Sequence, residues 1–163
     1  MSGAPAEVAR PAVDTDLVRL VELAVEAVDE QRDARGGAVW SRTLARRDPA
    51  ASLVKAMADP DQVVVTGLLD DTIVGYAVLR IARLDDGGLL AVVDDLYVEP
   101  EARGVGLGEA IMNVLVAHAT KRGCFGIDAL ALPGNRATKN FFETFGLTAR
   151  ALVVHRPLGP VGD

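Results

Sequence analysis

The stretch Asp94-Asp95-Leu96-Tyr97-Val98-Glu99-Pro100-Glu101-Ala102-Arg103-Gly104-Val105-Gly106-Leu107-Gly108 decides how this chain is read. Leu89–Val98 is dense in Leu and Val, the composition of a mostly buried strand, and Pro100 stops it. From Leu107 to about Lys121 apolar residues return at helical spacing, at Leu107, Ile111, Val114 and Leu115. Between strand and helix lies Arg103-Gly104-Val105-Gly106-Leu107-Gly108. A helix start carries unpaired backbone N–H groups and the positive end of the dipole. Glycines let that backbone press against an anion with no Cβ in the way. Residues 103–108 therefore read as a pyrophosphate cradle.

Two common phosphate loops do not fit. A P-loop requires Lys-Ser/Thr after its last glycine, and none follows here. A dinucleotide fingerprint requires Gly-x-Gly-x-x-Gly, whereas the glycines fall at 104, 106 and 108. Arg103-Gly104-Val105-Gly106-Leu107-Gly108 instead resembles the Arg/Gln-x-x-Gly-x-Gly/Ala acetyl-CoA motif of the GNAT superfamily of N-acetyltransferases. The resemblance extends downstream through Pro133-Gly134-Asn135-Arg136-Ala137, Asn140-Phe141-Phe142-Glu143 and Phe145-Gly146-Leu147. That block is similar to the family's Asn-x-x-Ala-x-x-x-Phe-Tyr-Glu-x-x-Gly-Phe pattern, and residues 62–156 match in order and spacing. Read without a ligand, the same residues give a tight strand-to-helix turn and an amphipathic helix capped by Asn135 and ended by Gly146.

The resemblance implies an α/β (α+β) GNAT fold. Its sheet is mixed and mostly antiparallel, with a central splayed parallel strand pair and helices on both faces. Here the splayed strands are Leu89–Val98 and Gly126–Leu132. Splaying leaves backbone groups of Leu96, Tyr97 and Val98 free to bond the pantetheine amides, and a backbone N–H near Val98 is placed to serve the acetyl carbonyl. Acetyl-CoA is the implied co-substrate. Its expected contacts are Leu96, Tyr97, Val98, Arg103, Gly104, Val105, Gly106, Leu107, Gly108, Asn135 and Phe142.

Bulk properties agree with this and exclude other classes. At 163 residues the chain is expected to form one domain, flexible at 1–6 and 157–163. No apolar run approaches a membrane span, and the N-terminus lacks the basic-then-apolar pattern of a secretory signal, so a cytoplasmic protein with no membrane partner is expected. A net charge of −6 argues against a nucleic-acid surface and leans towards cationic acceptors. The single cysteine, Cys124, and two histidines, His118 and His155, exclude a disulfide framework and make a metal site unexpected. The resemblance allows a homodimer, with no interface singled out.

Along the chain, strands are expected at Glu7–Arg10, Val63–Leu69, Thr72–Leu84, Leu89–Val98, Gly126–Leu132 and Thr148–His155. Helices are expected after Asp14, after Asp48-Pro49 to about Ala58, over Leu107–Lys121 and over Asn135–Phe145, with a further helical segment in Ser41–Arg47. Asp70-Asp71 is a hairpin signal. Residues 28–48 and 82–88 are placed to shape the acceptor pocket, with Trp40 either anchoring a loop or forming its aromatic wall.

Acetyl transfer to an amine needs a base, because an alkylammonium has a pKa of about 10.4. The candidates are Asp94, Asp95 and Glu99. Neighbours on a strand point to opposite faces unless a bulge re-aims one. Diamine-type members of the family carry an acidic pair at this place, which implies Asp94 as base or relay and Asp95 as binder of positive charge. The alternative for each is a backbone hydrogen bond or an arginine partner. Glu99 is expected to be solvated in its turn. The family's tyrosine acid falls on Phe142, which has no proton to give. Tyr97 is the nearest substitute, or the thiolate leaves unassisted or through water. Arg42, Arg46 and Arg47 read as a solvated helix face, with a CoA phosphate as the other option. Arg103, Arg136 and Lys139 stand closer to that phosphate by motif position. His118 and His155 read as structural and Cys124 as non-catalytic. The expected activity is acetyl transfer from acetyl-CoA to a primary amine, with a small molecule favoured over a protein. The alternative is a non-catalytic acyl-CoA-binding or sensing module of the same fold.

Overall fold

The computed structural model describes residues 3–160. The order is β1 (Glu7–Pro11), a 3-10 turn (Asp14–Asp16), α1 (Leu17–Gln31), α2 (Gly37–Trp40), α3 (Leu44–Arg47), α4 (Pro49–Ala58), β2 (Gln62–Leu69), β3 (Thr72–Arg83), β4 (Leu89–Val98), a 3-10 turn (Pro100–Ala102), α5 (Leu107–Lys121), β5 (Gly126–Ala129) and α6 (Arg136–Thr144). The five strands lie in the order β1-β2-β3-β4-β5. The first four pair antiparallel, and β4 and β5 run parallel. This is the mixed sheet expected from the strand order.

Alternation along the strands splits the apolar side chains between two faces. Val65, Ala77, Leu79, Ala91 and Val93 pack with Leu107, Ile111 and Leu115 of α5 and with Phe142 of α6. Val64, Tyr76, Val78 and Tyr97 pack with Leu20 and Leu23 of α1 and Leu53 of α4. The β2–β3 hairpin turns at Asp70 and Asp71, both left-handed with φ of 46° and 65°, the geometry of a type I′ turn. Asp48 caps α4 through a 3.1 Å bond from the Ala51 N–H, with Pro49 at the first helical position.

Three expectations need correcting. The chain enters α1 through a 3-10 turn, and the local carboxylate at work there is that of Asp16, not Asp14. Buried Asp16 accepts from the Val13 N–H at 2.9 Å, from Thr66 at 3.1 Å and from Arg10, whose hydrogen bond holds its pKa down at about 2. Thr148–His155 forms no strand: Leu152, Val153 and Val154 are almost fully exposed, and the stretch is tied to β5 through Arg150, which binds the Asp128 carboxylate. Valine-rich composition makes a strand only where a neighbouring backbone pairs with it. The fifth strand stops at Ala129, short of Leu132, so β5 is the edge of the sheet. Of the ends expected to be flexible, residues 1–2 and 161–163 lie outside the described residues, while 3–6 and 157–160 carry no helix or strand. No helix among the described residues is long and apolar enough to cross a membrane.

Candidate active site

The parallel ladder between β4 and β5 runs only from Leu90–Gly126 to Val93–Ala129. Beyond it Leu96, Tyr97 and Val98 pair with β3 but have no partner on β5. A cleft of ≈610 Å³ opens there, bounded by these residues, by Arg103, Gly104, Gly106 and Gly108, and by Asn135, Phe141 and Phe142.

The cradle depends on backbone shape. Gly104 and Gly106 have φ of 82° and 94°, which L side chains rarely adopt. Gly106 is the N-cap of α5 and no side chain caps that end, so the first N–H groups of the helix are left for a guest. Gly108 is small for another reason: a Cβ there would lie 3.1 Å from the Phe141 ring, so glycine lets α6 close against α5. Val105 and Leu107 do not line the cleft, and Leu107 is in the core. Arg103 borders the cleft with its guanidinium already engaged: Nε donates to the Val98 carbonyl at 2.8 Å, Nη2 meets Glu30 at 2.8 Å, and the group lies 5.5 Å from the Tyr97 ring centre. Lys139 pairs with Glu143 at 2.8 Å. Asn135 caps α6 by accepting from the Thr138 N–H at 3.1 Å. Phe141 lies 5.7 Å from Phe142 and 5.2 Å from Phe145, and the three rings form one wall.

A β-bulge settles the geometry of the acidic pair. In the β3–β4 register Val78 opposes Asp95 and Leu79 opposes Val93, so Asp94 is the extra residue. The insertion shifts the phase of the strand. Ala91 and Val93 face α5 before it, whereas after it Tyr97 faces α1. Both carboxylates therefore fall on the α1–α4 side. Asp95 pairs with Arg46, and Asp94 pairs with Arg80 at 2.9 Å. Both border the cleft and also a second cavity of ≈330 Å³ lined by Trp40, Arg46, Leu53 and Gln62. Burial pushes Asp95 up to about 6, with Arg46 opposing the shift and Asp94 adding to it. Burial also raises Asp94, against Arg80 and Arg46.

Two arginine and acid assignments from the sequence change. Arg46 is no part of a solvated face: it is 10% exposed, donates through Nη2 to the Asp94 carbonyl at 2.9 Å, and stacks 4.4 Å from the Trp40 ring centre. Glu99 is not solvated either, being ion-paired with Arg19, whose Nε donates to the Ile73 carbonyl at 3.1 Å. Both contacts join segments far apart in sequence, which local spacing does not reveal. Tyr76 reaches the cleft without a local signal, and Glu30, within the 28–48 stretch, borders it too. Tyr97 lines it with its hydroxyl pushed up to about 12, first by burial and then by Glu30 and Glu26. His118 and Cys124 do not border the cleft, and His155 is exposed.

The parallel strand pair parts beyond Val93 and Ala129, beside a glycine loop that opens a helix. The model of the acetyltransferase (GNAT) family matches residues 24–147, and the chain belongs to that family. No curated protein matches the chain. Among solved structures it is similar to a transcriptional regulator from Bacillus halodurans (18% identity, TM-score 0.72, covering 94% of this chain and 100% of that one). It is also similar to a Trypanosoma brucei acetyltransferase (20%, 0.69, 94% and 100%) and to the aminoglycoside N-acetyltransferase AAC(6')-Iy in complex with CoA (13%, 0.75, 98% and 99%).

Proposed function

We propose that this protein transfers the acetyl group of acetyl-CoA to the primary amine of a small cationic molecule by direct attack. The observation that carries the reading is the bulge at Asp94. It sets both carboxylates on one face, at the junction of the cofactor cleft and the second cavity. The first N–H groups of α5, with Gly104 and Gly106, would hold the pyrophosphate, and the free strand edge at Leu96–Val98 the pantetheine. Bound acetyl-CoA supplies an activated thioester.

In this scheme Asp95 receives the positive charge of the acceptor. Asp94, which is more exposed, relays its proton outward. A carboxylate near 6 is largely ionised at neutral pH, yet is a stronger base than an ordinary aspartate. The nitrogen forms a bond to the acetyl carbon, the C–S bond breaks and the sulfur leaves as thiolate. Phe142 packs against that end of the cleft and gives no proton. With its pKa near 12, Tyr97, which lines the cleft, would stay protonated and would be available to donate a hydrogen bond to the sulfur without surrendering its proton. A thiolate of pKa about 8.5 then takes a proton from water.

The absence of a hydroxyl at residue 142 favours a second reading, an acyl-CoA sensor. Incubating the protein with acetyl-CoA and a panel of amines, and following thiol release together with acetylated product by mass spectrometry, separates the two. Tight CoA binding with no product from any amine would leave the sensor.

A further inference from the structure

Arg46 is carried on α3, four residues of which none is buried, yet its own side chain is only 10% exposed. What holds it is the ground it meets: the Asp95 carboxylate, the Asp94 carbonyl at 2.9 Å and the Trp40 ring at 4.4 Å. The fit is incomplete, because Nε is buried with no partner. A buried donor left unpaired is costly, and the large majority of buried side-chain polar atoms find a partner. A carboxylate, a carbonyl and an aromatic face together are what recognises an alkylammonium. They converge where the cofactor cleft and the smaller cavity share Trp40, Asp94 and Asp95.

We propose that Arg46 is a resident stand-in for the acceptor's cation: its guanidinium closes the acceptor subsite until a cationic guest takes over its bonds to Asp95 and the Asp94 carbonyl. This rests on the reading of the acidic pair as the acceptor site. Selectivity follows from charge. A neutral guest that expelled Arg46 would leave Asp95 buried and unpaired, which is strongly unfavourable. A protonated amine replaces charge with charge and donor with donor. The displaced arginine moves on a short helix outside the core, so the exchange leaves the packing of α1 and α4 in place. Acceptors are thus selected by whether they can exchange with an internal cation.

The test needs no acetyl-CoA. Trp40 is the only tryptophan of the chain and stacks on the guanidinium, so its fluorescence reads the exchange. The full chain is titrated with n-butylammonium chloride, with n-butanol and sodium chloride as controls. The expected result is a saturable change with butylammonium and none with either control. In Arg46→Met the internal competitor is gone, and butylammonium, titrated at a pH high enough to keep Asp95 ionised without its arginine, should bind at least about tenfold tighter. Arg46→Lys keeps a charge and serves if the first variant does not fold. One nitrogen spans Asp95 and the Asp94 carbonyl less well than two, so this variant too should bind tighter than the native chain. Equal or weaker binding in the folded variant overturns the proposal, as does a saturable response to butanol or none to butylammonium. A chain that acetylates amines but whose variants bind no tighter loses this inference alone.

Discussion

The two ends of the cleft are built by opposite means. The end proposed to hold the cofactor is made of backbone: two glycines with positive φ, an uncapped helix start and a strand edge with no neighbour. The end proposed to take the acceptor is made of side chains: two carboxylates and an arginine, drawn together from β4 and α3 by a bulge and a buried ion pair. Backbone sites bind what every substrate of such an enzyme shares. Side-chain sites can change with the acceptor while the fold stays the same. Substitutions should therefore act differently at the two ends, on cofactor affinity at one and on acceptor use and pH response at the other.

The largest effect is expected from Gly106→Val. A branched residue at φ 94° is strained, and its Cβ would meet the Glu7 carboxylate at 3.4 Å, at the helix start proposed to hold the phosphates. Calorimetry should show CoA affinity falling by about 10²-fold or more, since the first-turn N–H groups no longer present themselves. Unchanged affinity would remove the phosphate role from the loop. Gly108→Ala sharpens the point. Its Cβ meets the Phe141 ring, so it should lower thermal stability more than CoA affinity.

At the acceptor end, Asp95→Asn should cut kcat/KM for a cationic amine by about 10²-fold, and Asp94→Ala should lower kcat most at low pH. The native profile should fall as pH drops through about 6, where Asp95 takes up a proton. Its effect on stability has the opposite sense. A carboxyl raised from 3.8 to about 6 in the folded state favours folding most below 3.8, and that contribution is lost as pH rises through 6. Asp95→Asn removes that pH dependence but leaves Arg46 buried without its carboxylate, so it should be less stable than the native chain, and by the smallest margin above pH 6. Wild-type rates across pH 6 to 9 in both variants would make the carboxylates structural.

Asp16 reverses that sign away from the cleft. Its pKa falls from 3.8 to about 2, chiefly through Arg10, so its contribution is present above pH 4 and is lost as pH falls through 2. Asp16→Asn should lower stability by about 2 kcal/mol at pH 7, and by much less near pH 2. Denaturant titration at the two pH values reads the difference. An equal loss at both would mean that packing, not charge, is what the mutation removes.

The contrast between the two ends also explains what the sequence revealed. Gly104, Gly106 and the helix after them are local: turn, dipole and periodicity lie within twenty residues, so the glycine turn and its helix were legible. The acidic pair was legible as composition, but its shared face depends on the β3 register, where Val78 and Leu79 skip Asp94. Arg46 reads locally as one of three arginines on a polar segment. Only the fold brings it to Asp95, across 49 positions. The strand expected at Thr148–His155 failed for a related reason, because β-rich composition does not supply a partner backbone.

The smallest effect is expected from Phe142→Tyr, which restores a hydroxyl where the family motif carries one. The outcome depends on which bond change limits the rate. In the tetrahedral intermediate either the amine or the sulfur can leave. A thiolate has a conjugate acid of pKa about 8.5 against about 10.4 for an alkylamine, so sulfur departs readily once the amine has lost its proton. Attack by the deprotonated amine is then limiting, and an added acid has little left to accelerate. The substitution should change kcat by less than about threefold, far below the 10²-fold or more that general acid catalysis gives where it operates. Phe142 is 6% exposed in the wall of three rings, so the ring itself should matter more than the hydroxyl. Steady-state kinetics with a fixed amine should show this, with KM for acetyl-CoA unchanged. A large rise in kcat would move the limiting step to thiolate departure. It would also show that the cofactor end contributes proton chemistry as well as backbone.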